Sequence, residues 1–138
     1  MPTMDIGYNL SAPDKVYILP KNLKEISGIT ELDSARIACI QDEREIVFIF
    51  DLNAGQIISR IGYDYKGDYE GLARVDSTLY ILRSDGEITQ IKNFETEKRE
   101  RSTFHSGIQF KDDEGLCYDP ATNYLLITTK EIPHKGSG

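Results

Sequence analysis

Three stretches of this sequence set carboxylates beside a glycine in one pattern. They are Glu25-Ile26-Ser27-Gly28-Ile29, Asp68-Tyr69-Glu70-Gly71-Leu72 and Asp112-Asp113-Glu114-Gly115-Leu116. The first position is acidic, the third is Ser or Glu, the fourth is Gly and the fifth is Ile or Leu. Residues two apart in a strand point to the same side. Glu25 is thus in phase with Ser27, Asp68 with Glu70, and Asp112 with Glu114. Three such strands side by side would bring six oxygen-bearing side chains toward one region. Like charges that close raise one another's pKa unless a cation or hydrogen-bond donors compensate. Calcium accepts about six to eight oxygen ligands in loose geometry and suits a ring of Asp and Glu. The expected ligands are Glu70 and Glu114, with Glu25, Asp68 and Asp112 as direct or indirect partners. A purely structural role competes with this. An acid before a strand accepts hydrogen bonds from turn amides, and the glycines mark a bulge or a close approach of backbones.

The elements that would position these residues are strands. Gly28, Gly71 and Gly115 are 43 and 44 residues apart. Ile40, Leu82 and Ile127 follow their glycines by 12, 11 and 12 residues, each ending a second apolar run, and a polar turn follows in every copy. A period near 44 with four short strands per copy matches a β-propeller blade. The expected fold is all-β: a partial propeller over 15–138 behind a tail of residues 1–14, with blades at about 25–63, 68–110 and, incomplete, 112–138. Asp51-Leu52-Asn53-Ala54-Gly55 reads as a hairpin loop, in which Asn53 and Gly55 tolerate positive φ. Residues 92–102, KNFETEKRERS, are charged without an apolar stripe and read as a connection running into a solvated strand.

A closed propeller has about four to eight blades, so two and a half blades need missing blades or another chain to close the ring. The chain reads as part of a longer protein, with KVYILP (15–20) as the outer strand of a closing blade. Its terminal faces are expected to expose Val16, Ile18, Leu125 and Ile127.

Composition narrows the function. The 138 residues are 39% hydrophobic and 28% charged, as in a folded globular domain. A formal charge of -7 argues against nucleic acid as a partner. No apolar run reaches the roughly 20 residues that span a bilayer, and the first twenty residues carry no signal-peptide pattern. Cys39 and Cys117 lie in apolar runs and read as free, buried thiols. No G-x-S-x-G motif is present, Ser27 has no histidine partner, and His105 reads as an outer-strand surface residue. Tyr63, Tyr65 and Tyr69 either line a ligand rim or, more in keeping with blade connections, pack on a neighbouring blade.

Y-I-L-P-x-x-L-x-E-I-S-G-I (17–29), Q-D-E (41–43), D-Y-E-G-L-A (68–73) and L-Y-I-L (79–82) together resemble the SdiA-regulated β-propeller family. The similarity runs from about residue 15 onward and corresponds to the N-terminal half of a family member. That family is related in architecture to phytase-like and strictosidine-synthase-like propellers. The resemblance implies an exported protein of the periplasm or cell envelope, often membrane-associated, with a metal near the propeller axis. Two functions follow as expectations. One is a non-enzymatic propeller domain that binds a divalent cation on its axis and a protein or small-molecule ligand at its rim. The other is a calcium-dependent, phytase-like phosphoesterase, which needs a basic cluster for phosphate beside the acidic metal ligands. Arg36, Arg44, Arg60, Arg74 and Arg83 are dispersed in the sequence and suggest no such cluster.

Overall fold

A computed structural model describes residue 19 and residues 26–41, 44–63, 67–107 and 114–129; of Glu114, Thr128 and Thr129 it describes the backbone alone. The described residues form ten strands and no helix. They are β1 Ile26–Glu31, β2 Arg36–Gln41, β3 Ile46–Asp51, β4 Gln56–Gly62, β5 Tyr69–Val75, β6 Thr78–Arg83, β7 Glu87–Lys92, β8 Glu100–His105, β9 Glu114–Asp119 and β10 Tyr124–Thr129. Three antiparallel sheets result, with strands in chain order: β1 to β4, β5 to β8, and the pair β9 and β10.

The turns follow from short-range chemistry. Asp51 and Asp119 build the same loop. In each, the aspartate carboxylate accepts a loop amide, from Ala54 or Ala121, and its carbonyl accepts the amide of the residue four further on. That fourth residue is left-handed: Gly55 at φ +70° and Asn123 at +60°. Asn53, expected to share the positive φ, does not have it. Asp76, at φ +53°, opens the two-residue turn between β5 and β6. Asp and Asn tolerate this region because their short polar side chains bond locally.

The sheets stack through their first strands. A side chain at Gly28 would meet the Leu72 amide nitrogen at 2.9 Å and the Gly71 carbonyl carbon at 3.1 Å. One at Gly71 would meet the Leu116 amide nitrogen at 2.7 Å and the Gly115 carbonyl carbon at 3.3 Å. Each glycine is therefore the place where one first strand lies against the next. Between the first two sheets, Ala38, Ile40, Val47, Ile49 and Ile61 pack on Leu72, Leu79, Ile81, Ile91 and Phe94. Between the second and third, Ala73, Leu82 and Ile88 pack on Leu116, with Tyr118, Leu125 and Ile127 alongside. Phe48 and Phe50 form a third cluster on the far face of the first sheet, with Leu19, Ile26, Ile37 and Ile57.

Several expectations need correction. In the third sheet the register pairs Gly115 with Thr128 and Ile127 with Leu116. Ile127 and Leu125 consequently face the second sheet and are half-buried, not exposed. Cys39 is buried, but Cys117 is exposed. Tyr63 and Tyr69, by contrast, pack as the preferred reading expects: both are fully buried, edge to face with centroids 5.0 Å apart. Val16, Ile18 and Tyr65 lie outside the described residues. Residues 93–99 form the charged connection, and β8 is exposed along its whole length.

Candidate functional site

An up-and-down sheet returns alternate strands to the same end. That end gathers the starts of β1, β5 and β9, the starts of β3 and β7, and the finish of β6. Acidic residues stand there: Glu45, Asp68, Glu70, Asp85 and Glu87, with the backbone of Glu114. Sequence reasoning named Asp68, Glu70 and Glu114 and missed Glu45, Asp85 and Glu87. The signal for the last two was the turn Arg83-Ser84-Asp85-Gly86, which reads as a loop until strand pairing returns it beside β5.

The local geometry departs from simple alternation. Tyr69 pairs with Arg83 and Gly71 with Leu82, so Glu70 is an extra, bulged residue. Ser27 is bulged in the same way between Ile26 and Gly28. A bulge breaks the period of two and re-aims the side chain it carries. The bulge at Glu70 thus removes the simple alternation on which its in-phase pairing with Asp68 was expected, while Glu25, the expected partner of Ser27, lies outside the described residues. No bulge interrupts the pairing of β9 with β10.

The sequence-derived residues fare unequally. Asp68 is exposed, and its carbonyl accepts the Ser84 amide at 2.7 Å. Glu70 is half-buried. Glu70 and Glu114 each precede one of the glycines that touch, so their backbones stand at the same end of adjacent first strands. Glu25 and Asp112 lie outside the described residues. Among the described residues, no three of His, Cys, Asp and Glu come close enough to hold a metal ion together.

Charge at this end is partly balanced within the protein. The Arg83 guanidinium grips Asp85 with two bonds, Nε to Oδ1 at 2.9 Å and a terminal nitrogen to Oδ2 at 2.8 Å. That pairing holds the Asp85 carboxyl below the usual range, helped by the Glu87 amide. One carboxylate oxygen of Glu87 is buried without a hydrogen-bond partner among the described residues, as are the Ser27 and Tyr69 hydroxyls. Burial, with the nearby Glu45 charge, pushes the Tyr69 phenol up to about 12. His105, at the finish of β8, is exposed; one ring nitrogen meets the Asp85 carbonyl at 3.2 Å and the other accepts the Gly107 amide.

A groove opens at the opposite end of the second and third sheets. Its lining is Val75, Tyr80, Tyr118, Asn123, Tyr124 and Leu125. Tyr118 donates to the Asn123 side chain at 2.8 Å. These tyrosines, unlike Tyr63 and Tyr69, line an open groove, and no motif in the sequence distinguished them.

Four of the described arginines have hydrogen-bond partners nearby, Arg83 with Asp85 among them. Arg36 binds Asp33 and Glu95, Arg74 binds the Glu31 and Asp76 carbonyls, and Arg101 binds the Gly62 carbonyl. Arg44 and Arg60 differ: both lie over the Phe48 ring, 5.3 and 5.9 Å from its centroid.

No protein-family model matches this chain, and no curated protein sequence does. Solved structures do. Hydrazine synthase from Kuenenia stuttgartiensis aligns over 86% of this chain and 32% of its own, at a TM-score of 0.59 and 11% identity. Raptor from Chaetomium thermophilum aligns over 75% of this chain and 10% of its own, at a TM-score of 0.57 and 14% identity. The chain thus spans about a third of one and a tenth of the other. At such identities the likeness is one of fold: stacked antiparallel sheets.

Proposed function

We propose that this chain supplies consecutive blades of a β-propeller and acts as a binding module, not an enzyme. It holds a divalent cation, calcium by the chemistry of its ligands, where the first strands begin, and a protein or small-molecule partner at the rim. The observation that carries this reading is the glycine-on-glycine stacking of β1, β5 and β9. It sets the starts of three successive first strands side by side, and Glu70 and Glu114 immediately precede two of the touching glycines. Three like sheets stacked through their first strands are what radial repetition produces. The ligands would be Glu70 and Glu114, joined by Asp68, Glu25 and Asp112. Membership of the SdiA-regulated family, and with it export to the periplasm or envelope, rests on the sequence motifs alone. The phosphoesterase alternative needs cationic groups beside the acidic starts of the first strands, and there Arg83 is engaged by Asp85.

Calcium titration followed by thermal unfolding tests the reading. A ligand that binds only the native state adds RT ln(1 + [L]/Kd), about 2.7 kcal/mol at a hundredfold excess over Kd. Calcium is expected to raise the melting temperature and chelation to reverse the rise. The double change Glu70→Gln, Glu114→Gln is expected to abolish the response while leaving the chelated protein as stable as before. A calcium shift unchanged in that double variant means the acids serve only the turns and bulges.

A further inference from the structure

Two arginines beside the outer strands of the first sheet are held by a ring instead of an oxygen. Arg36, Arg74, Arg83 and Arg101 each bind a carboxylate or a carbonyl. The Arg44 and Arg60 guanidiniums make no hydrogen bond or ion pair with any described residue. Both residues are exposed, and both side chains lie over the Phe48 ring. The placement follows from the register. Phe48 of β3 pairs with Arg60 of β4, so the two side chains leave the sheet on the same side. Arg44 precedes Phe48 by four residues, an even step, and reaches that side as well. Phe48 is itself 1% exposed, and Leu19, Ile26 and Ile37 pack on its cluster. What this face presents above Phe48 is therefore the pair of exposed guanidiniums. The ring attracts their charge but offers their N–H groups no oxygen.

The space between the two arginines is clear. Gly62 follows Arg60 by two residues and pairs with Ile46, which stands between Arg44 and Phe48. A side chain at Gly62 would meet nothing nearer than the Glu45 carbonyl oxygen at 3.9 Å. The chain has 23 acidic residues against 16 basic ones, yet no described carboxylate pairs with either guanidinium. Two permanent cations drawn to one ring repel each other unless an anion compensates.

We propose that Arg44 and Arg60 form a binding site for a phosphate group, whose oxygens both guanidiniums grip above Phe48 and Gly62. One dianion neutralises two cations that have no internal counter-ion. The planar fork of a guanidinium matches phosphate oxygens in pairs, which a point charge does not. The Phe48 ring holds both forks near one place before the anion arrives, and the bare backbone at Gly62 leaves it room. The site lies on the far face of the first sheet, away from the stacked first strands, and does not depend on a cation there.

The test is a titration of the whole chain with inorganic phosphate, followed by NMR of the arginine Nε–H groups. A chelator removes divalent cations, and ionic strength is held constant so that screening does not change. Phosphate is expected to shift the Arg44 and Arg60 signals along saturable curves with one shared Kd, and to leave those of Arg36 and Arg74 in place. Arg44→Gln and Arg60→Gln, each with unchanged circular dichroism, are expected to weaken binding roughly tenfold or more, since each removes charged hydrogen bonds. Gly62→Asp keeps both arginines and sets a carboxylate between them, and is expected to weaken binding as well. Unsaturable shifts of equal size at all arginines overturn the proposal and leave the pair as a cover for Phe48. An unchanged Kd in either single arginine variant overturns the shared grip. Acetate at the same ionic strength is expected to leave both signals in place. Acetate binding as tight as that of phosphate overturns the phosphate assignment in favour of a carboxylate ligand.

Discussion

The seam between the first and second sheets and the seam between the second and third share their backbone geometry but differ in filling. Both are set by a glycine of a first strand lying on the Gly-Leu pair of the next, Gly71-Leu72 or Gly115-Leu116. The first seam is then filled with large side chains, ending in the edge-to-face pair of Tyr63 and Tyr69 and in Phe94. The second has Ala73, Leu82 and Ile88 facing Leu116, and it opens at one end into the groove lined by Tyr80, Tyr118 and Tyr124. The repeated motif therefore encodes how closely the strands approach, while the filling around it is free to vary. Side chains available for recognition stand where the filling is incomplete.

The largest expected effect breaks what the seams share. An added methyl at Gly71 would sit 2.7 Å from a backbone nitrogen and 2.8 Å from the Leu116 Cβ, with no flexible side-chain end to yield. At Gly28 the nearest contacts are 2.9 Å to backbone and 3.0 Å to the Ile40 side chain. Overpacking of this kind costs about 1–3 kcal/mol and sometimes more. Gly71→Ala is expected to lose roughly 3 kcal/mol and Gly28→Ala roughly 2, read from urea unfolding midpoints. Gly55→Ala is the control: at φ +70° with nothing within 4 Å, it bears only the conformational cost, about 1 kcal/mol. Equal losses at all three positions would show that close strand approach does not hold the sheets together.

The contrast also explains what was legible in the sequence. The all-β class and the threefold recurrence were legible, because a backbone that must pass within van der Waals contact of another tolerates only glycine, and that leaves a mark at a fixed interval. The bulges at Ser27 and Glu70 were not. A bulge inserts a residue into one strand only, and its register is set by the partner strand. Of the candidate site, the acids before the glycines were legible by repetition. Asp85 and Glu87 were hidden in a turn that only cross-strand pairing brings back to them. The tyrosines of the groove alternate with core residues and carry no signature of their own.

Alkali is expected to strike the first seam before the second. Tyr69 is raised to about 12 by burial and by the Glu45 charge, and burial raises the Tyr63 phenol further. Cys39, within the first sheet, is raised to about 11 by burial alone. In each case the folded value exceeds the unfolded one, so the unfolded chain ionises first. The stabilisation is fully present below the ordinary thiol and phenol values and fades as pH rises through the folded ones. Stability should be flat to about pH 8.5, then fall by a few kcal/mol toward pH 12. Tyr69→Phe removes one phenol, whose hydroxyl has no partner among the described residues. It is expected to flatten the fall above about pH 10 at little cost near neutrality. An unaltered alkaline slope in that variant would show that Tyr69 ionises as freely folded as unfolded.

The smallest effect concerns the surface between the first two sheets. Arg36, at the start of β2, bonds Asp33 in its own hairpin at 2.8 Å and Glu95 in the β7–β8 connection at 2.6 Å. The geometry is good, but Asp33 and Glu95 remain 45% and 42% exposed, so water screens the attraction and the long side chain loses rotamer freedom. Glu95→Ala is expected to cost less than about 1 kcal/mol, and less still in high salt. Asp33→Ala should cost more than its charge alone suggests, because its carboxylate also accepts the Ala35 amide that shapes the β1–β2 turn. A double-mutant cycle on Arg36 and Glu95 isolates the link between the sheets. A coupling energy near zero means the seam is held by the glycine contact and the apolar filling alone. A coupling above about 1 kcal/mol, persisting in high salt, would mean that Arg36 clamps the two sheets and that the first seam differs from the second in its electrostatics as well as in its packing.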